Sequence, residues 1–227
     1  MSSRPERLNA CTLRPALAGA VLLAAASTSV LAYTATLTAA APEAIYLQVG
    51  VGLFTGGNYT PIKGDGQPTG TPGNNTTINN VSTYVPQADV GNGAAQAMTT
   101  DSTATQSYWD GFTFCSVPAQ LYIGGFYRTA GGSTAAAQVT ATVPAALTDP
   151  HGDTLPFSKI SWTSAGNDDE GAEPFPAGTF VNGGVQTVGT MASNTWNESC
   201  WTFSYSNNTV PKSGYYSGTV TYTMTTP

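Results

Sequence analysis

Apolar and polar side chains alternate with a period of two in short runs along this chain, and Gly, Pro, Asn and Asp punctuate the runs. Near the C-terminal end, Trp201, Phe203 and Tyr205 fall on one face of an extended segment, with Thr202 and Ser204 on the other. From Gly218 to Thr225 the pattern repeats, with Val220, Tyr222 and Met224 set against Thr219, Thr221, Thr223 and Thr225. The intervening SNNTVPKSG holds turn formers: Asn tolerates left-handed backbone, Pro211 fixes φ and Gly214 admits whatever angle a reversal needs. This spacing predicts a β-hairpin over Cys200 to Pro227 that closes the fold with its aromatic face packed.

Upstream, Ile45 to Leu53 alternates so that Ile45, Leu47, Val49, Val51 and Leu53 share a face, and Tyr33 to Thr38 alternates more weakly. Phe112 to Val117 sets Phe112 and Phe114 opposite Cys115. Gln120 to Arg128, Gln138 to Val143, Leu155 to Thr163, Phe175 to Val181 and Val185 to Met191 follow as further strands. About eight or nine short strands with turn residues between them predict an all-β chain, folded as a single immunoglobulin-like or jelly-roll-like β-sandwich. A membrane-spanning barrel needs strands of about 9 to 11 residues and aromatic girdles. The shorter runs and the final Pro227 favour the sandwich.

One stretch breaks the rhythm. Residues 55–106 are polar and of low complexity, dominated by Gly, Pro, Asn and Thr, with strand-like cores only at Thr76 to Val85 and Ala94 to Met98. A segment this long without regular structure is uncommon in a compact domain unless it serves a function. It reads as a loop-rich insertion with short edge strands.

The N-terminus reads as a targeting segment. Arg4, Arg7 and Arg14 flank an apolar run from Pro15 to Ala32, and Val30-Leu31-Ala32 presents small residues at a cleavage position. A signal peptide over residues 1–32 and a β-sandwich domain over 33–227 are expected. The apolar run is interrupted by Ser27, Thr28 and Ser29, so no stable membrane span is expected after cleavage. Net charge is −6, and beyond the signal the only basic residues are Lys63, Arg128, Lys159 and Lys212. That balance argues against nucleic acid and anionic membrane surfaces, both of which are bound through Lys and Arg. The expected location is secreted, periplasmic or at the cell surface.

Chemical signatures are sparse. Cys115 and Cys200 remain once Cys11 leaves with the signal, and an even count in an exported chain points to a disulfide. His151 is the only histidine, set in the turn-like Asp149-Pro150-His151-Gly152-Asp153, and no G-x-S-x-G elbow accompanies it. No catalytic residue is assigned, no cofactor is expected, and a non-enzyme is the reading. The acidic run offers Asp168, Asp169, Glu170 and Glu173 as oxygen ligands for calcium, without the spacing of an EF-hand. Among the aromatics, Trp196, Tyr215 and Tyr216 lie at strand margins and are the candidate glycan contacts.

The terminal Gly214-Tyr215-Tyr216-Ser217-Gly218, followed by Thr219 to Met224 and Pro227, resembles the last strand of bacterial WxL-type surface domains. It is also similar to the closing strands of fimbrial and spore-coat-U-like exported sandwiches. Both resemblances imply a non-enzymatic structural protein of the bacterial envelope. Where the WxL family has Trp-x-Leu, this chain has Tyr222-Thr223-Met224, and no family site residue transfers. The expected function is therefore an exported structural or surface protein, in one form a pilus-like subunit. Its partner would be another copy or another envelope protein, joined by strand addition through Tyr33 to Leu53. The alternative is a carbohydrate-binding module using exposed aromatics.

Overall fold

A strand sends alternate side chains to opposite faces, and in this protein the two faces of the main sheet meet different neighbours. The computed structural model describes residues 44–59, 70–129, 134–167, 169 and 171–227, all within the compact unit Ala40–Pro227. The expected signal peptide and the strand Tyr33 to Thr38 lie outside the described residues.

In chain order the strands are β1 (Ala44–Val49), β2 (Phe54–Thr55), β3 (Thr71–Pro72), β4 (Val81–Ser82), β5 (Gln96–Ala97), β6 (Thr99–Thr100), β7 (Leu121–Arg128) and β8 (Ala137–Val143). They continue as β9 (Leu147–Thr148), β10 (Thr154–Leu155), β11 (Ile160–Ala165), β12 (Gly178–Thr179), β13 (Gly184–Met191), β14 (Asn197–Tyr205) and β15 (Thr221–Thr225). A 3-10 turn, Phe157–Lys159, precedes β11. No helix among the described residues is long and apolar enough to cross a membrane.

The larger sheet runs β1-β7-β14-β11-β12, with β5 paired to the end of β14. The smaller runs β13-β8-β15. Between them lies the main core. Leu121, Ile123 and Tyr127 of β7, Trp162 of β11 and Trp201, Phe203 and Tyr205 of β14 meet Ala137, Val139, Ala141 and Val143 of β8 and Val188 and Met191 of β13. Trp201 is fully buried at its centre. Its ring lies 5.0 Å from that of Trp162 and 6.0 Å from that of Tyr222, and its indole N–H donates to the Phe175 carbonyl at 2.9 Å. The protein is an all-β sandwich with one disulfide, Cys115–Cys200, across a Cα separation of 5.6 Å.

The closing hairpin is not formed. β14 pairs with β7 and β11 in the larger sheet, whereas β15 pairs with β8 in the smaller one. Both runs carry one apolar face, and the two faces meet across the core, as the Trp201–Tyr222 contact shows. The connection crosses between layers, where a hairpin would have left both apolar faces on one side. Asn207 anchors its start: the buried carboxamide accepts from Gly91 N at 2.9 Å and donates to the Asp89 carbonyl at 2.7 Å.

Other boundaries shift for local reasons. Phe112 to Val117 forms no strand, because the N–H groups of Phe114 and Cys115 both donate to the Thr105 carbonyl and so join no ladder. Leu155 to Thr163 divides at Pro156, with β10 before it and the 3-10 turn and β11 after it. Only Gly178–Thr179 of Phe175 to Val181 is strand. In β1, Leu47 and Val49 pack on the main core while Ile45 is exposed. On the opposite face, Tyr46 and Gln48 are buried too.

That second burial comes from the insertion. Among the described residues of this stretch and its margin the strands are short: β2 with β3, β4 with β6, and β5 on β14. Phe54, Tyr59 and Ala104, with residues 107–115, lie over the outer face of β1, β7 and β14, whereas Val81, Val85 and Met98 pack on the main core and β5 extends the larger sheet beside β14. Polar ties hold them: the Asp101 carboxylate accepts from Asn79 Nδ2, from Asn80 N and from Asn80 Nδ2, at 2.6 to 3.0 Å. Asn79 Oδ1 accepts from Val51 N at 2.7 Å.

Two stability measurements check this account. Trp201→Ala is expected to cost about 3–5 kcal/mol in urea unfolding, since it empties the centre of the core. Replacing both cysteines by Ser is expected to cost up to about 4–5 kcal/mol, because the bond closes a long loop in the unfolded chain, and to loosen residues 107–115 first in hydrogen exchange.

Candidate functional site

Alternation along β14 decides what faces outward. With Trp201, Phe203 and Tyr205 turned to the core, Glu198 and Cys200 face the opposite way, under the insertion. A carboxylate at such a position is costly to desolvate unless donors surround it. Three do. Tyr122 donates its hydroxyl to Glu198 Oε2 at 2.5 Å, Trp196 its indole N–H to the same oxygen at 2.8 Å, and Ser107 its hydroxyl to Oε1 at 2.7 Å. Gly124 makes the space: a Cβ there would stand 2.6 Å from the Tyr122 hydroxyl and 2.9 Å from Glu198 Cβ. Burial pushes the Glu198 carboxyl above the ordinary carboxylate range, the three hydrogen bonds pull it partly back, and Asp169 adds to the rise. Burial and the neighbouring carboxylate raise the Tyr122 hydroxyl well above its usual value, so it stays a donor.

Around this group the aromatic rings of the outer face close up. Trp196 lies 5.8 Å from Phe126 and 5.3 Å from Tyr59, and Tyr59 in turn stacks on Trp109 at 5.4 Å with 28° between planes. Phe114 meets Tyr122 edge-on beside the disulfide. Asn194, in left-handed backbone at φ 58°, turns the chain out of β13 and donates its N–H to the Tyr127 carbonyl at 2.9 Å. That turn leads directly into Trp196.

The result is an open cleft of about 670 Å³, walled by Trp109, Phe112, Phe114 and Trp196, with Asp110, Asp169 and Glu198 among its polar lining. Phe112 is 64% exposed and Trp109 37%. Asn167, at φ 43°, donates from Nδ2 to Gln120 Oε1 at 3.0 Å and to the Phe114 carbonyl, which fixes one rim. A smaller hollow of about 290 Å³ continues past Trp196 and Glu198 to Glu173.

Of the candidate glycan contacts, Trp196 lines this cleft, half-buried among other rings. Tyr215 and Tyr216 do not join it. Tyr215 is exposed, and Tyr216 donates its hydroxyl to the Lys212 carbonyl beside the Asp149–Asp153 turn. Phase along a strand does not say which margins converge, which is why sequence grouped them. Trp109 is among the aromatics that the sequence offers for stacking, though not among the preferred three, whereas Phe112 and Glu198 give no such signal.

Of the calcium candidates, Asp169 and Glu173 both line the smaller hollow and both stand near Gly166. Asp168 and Glu170 lie outside the described residues. Glu173 Oε2 accepts from Ser199 Oγ at 2.8 Å. No group of three or more His, Cys, Asp or Glu suited to a metal occurs among the described residues. His151 sits on an exposed turn whose centre is Asp149, with Oδ1 accepting from His151 N and Asp153 N at 2.9 and 2.8 Å. No family model, curated protein or solved structure matches the chain.

The Glu198 network carries a signed prediction. The folded carboxyl is held above its unfolded value of about 4.3, so in the window above that value the folded protein binds more protons than the unfolded one. Stability contributed by this group is present at low pH and lost as pH rises through the folded value. Glu198→Gln, whose amide oxygen can accept from Tyr122 and Trp196 while its NH2 donates to Ser107, is expected to flatten that part of the profile in urea titrations. Glu198→Ala is expected to cost about 1–3 kcal/mol for each donor left buried without a partner.

Proposed function

We propose that this protein is an exported, non-enzymatic β-sandwich that binds saccharide in the cleft between Trp109, Phe112 and Trp196. The observation that carries the reading is the cleft itself: aromatic walls, partly open to solvent, over a rigid hydrogen-bonded floor. Its volume of about 670 Å³ is in the range of small-ligand sites, about 300–1,000 Å³. Aromatic faces pack on the C–H surfaces of a sugar ring, and the polar rim at Asp110, Thr113 and Asn167 offers hydrogen bonds to its hydroxyls. Export is supported by the disulfide, which persists in oxidising compartments, and by the basic-then-apolar N-terminal pattern. The resemblance of the last strand to bacterial surface sandwiches agrees with display at an envelope.

The binding reading is preferred to the filament reading for a topological reason. Of the segment Tyr33 to Leu53, residues Ala44–Val49 are paired in register with β7 of their own chain. They are therefore engaged at home, and the cleft is the feature left unexplained by packing.

In a titration against a polysaccharide and oligosaccharide panel, at least one saccharide is expected to shift tryptophan fluorescence. Trp109→Ala and Phe112→Ala are each expected to weaken that binding at least about tenfold, corresponding to roughly 1.4 kcal/mol, and Phe112→Ala, at the more exposed ring, to do so without changing Tm. Tyr215→Ala should leave it unchanged. A panel without a single binder, measured on folded protein, would overturn the proposal.

A further inference from the structure

The lining of the cleft is unbalanced in charge. Asp110, Asp169 and Glu198 line it, and the adjoining hollow adds Glu173. No Lys, Arg or His is among the described residues that line either space. Of the described basic groups, Lys159 donates to Asn208 Oδ1, Lys212 pairs with Asp153 at 2.5 Å, His151 faces Asp149, and Arg128 lines neither space. The three donors that hold Glu198 are the neutral Tyr122, Trp196 and Ser107. Its charge is thus solvated by dipoles, with no cation among those partners.

Ionised carboxylates are acceptors only, whereas an ammonium group is a donor only. A neutral sugar hydroxyl can donate to a carboxylate as well, but an ammonium adds its charge to the same hydrogen bond. Aromatic faces add a second preference of the same sign, since the electron-rich face of Trp attracts a cation held against it. Trp109 and Phe112 line the cleft beside Asp110, whose Oδ1 accepts from Phe112 N at 3.0 Å.



We infer that the saccharide taken by this cleft carries a free, protonated amine: an amino sugar that is not N-acetylated. The inference rests on the saccharide reading above and names the class of sugar. An ammonium at Asp110, flanked by the Trp109 and Phe112 rings, satisfies the charge of the wall, and the ring carbons of the sugar lie against Trp196. N-acetylation replaces the three-donor cation by a neutral amide, so it removes both the ionic and the aromatic contribution to recognition.

Calorimetry on the folded full chain separates the possibilities, with four probes: a glucosamine oligomer, its N-acetylated counterpart, a neutral glucose oligomer of equal length, and tetramethylammonium. The glucosamine oligomer is expected to bind at least about tenfold more tightly than the other two saccharides, and the advantage should shrink in about 0.5 M salt, where charges are screened within a few ångströms. Asp110→Asn, which keeps the acceptor for Phe112 N, is expected to reduce that advantage about fivefold or more while leaving Tm unchanged. Equal affinity for the neutral or acetylated oligomer would overturn the amine inference and leave the saccharide reading standing. Binding of tetramethylammonium with no saccharide bound would overturn the saccharide reading and keep the preference for a cation. Absence of binding by all four probes would overturn the amine inference.

Discussion

The larger sheet is buried on both faces in a chain whose described residues contain no α-helix, and most of the structure follows from that constraint. One face is covered by the β13-β8-β15 sheet, in the ordinary manner of a sandwich, around Trp201. The other is covered by parts of the polar insertion and by the segment that follows it, through Phe54, Tyr59, Ser107 and Phe114, a cover poor in aliphatic residues. Such a segment has little apolar area with which to offset the entropy of its own ordering. It is held instead by a few aromatic rings, by Cys115–Cys200, and by side-chain amides and carboxylates that satisfy backbone groups, notably Asp101 with Asn79 and Asn80 and Asn207 with residues 89–92.

A cover built that way does not seal the sheet completely. Where it ends, between Ser107 and Phe114, the rings of Trp109 and Phe112 remain open and the cleft begins. Glu198 lies at this margin for the same reason that it is buried: β14 carries its aromatic run toward the core and must send its alternate residues beneath the insertion. The hydrogen bonds from Tyr122, Trp196 and Ser107 tie β7, β14 and the insertion to a single side chain. The floor of the cleft and the attachment of its wall are therefore one structure, and a change at Glu198 alters both.

Much of the architecture was legible in the sequence because the period of two is a local property. The alternation in Gln138 to Val143 and Val185 to Met191 located β8 and β13 to within a residue or two. The even cysteine count anticipated the bond that the structure contains. Partnership between strands was not legible. Trp201 to Tyr205 and Gly218 to Thr225 look like two arms of a hairpin because each has one apolar face and turn residues lie between them. An apolar face is buried equally well by a neighbour in the same sheet or by the sheet opposite, and only the packed core distinguishes the two. The site was hidden for a related reason: Trp109 and Phe112 are distant along the chain from Asn194 and Glu198, and Glu198 reads as one more polar residue in an alternating strand.

By itself, then, the sequence determined that the chain is all-β, where most of its longer strands lie, that residues 55–106 interrupt their rhythm, and that two cysteines were available to join. These are consequences of side-chain periodicity and residue chemistry, which act over a few residues at a time. Tertiary structure decided that β14 and β15 belong to opposite layers, that parts of the insertion and the segment after it cover the outer face of the larger sheet, and that an acidic, aromatic-walled cleft forms at their margin. Those features depend on which surfaces exclude water from one another, and that is settled only when the whole chain has packed.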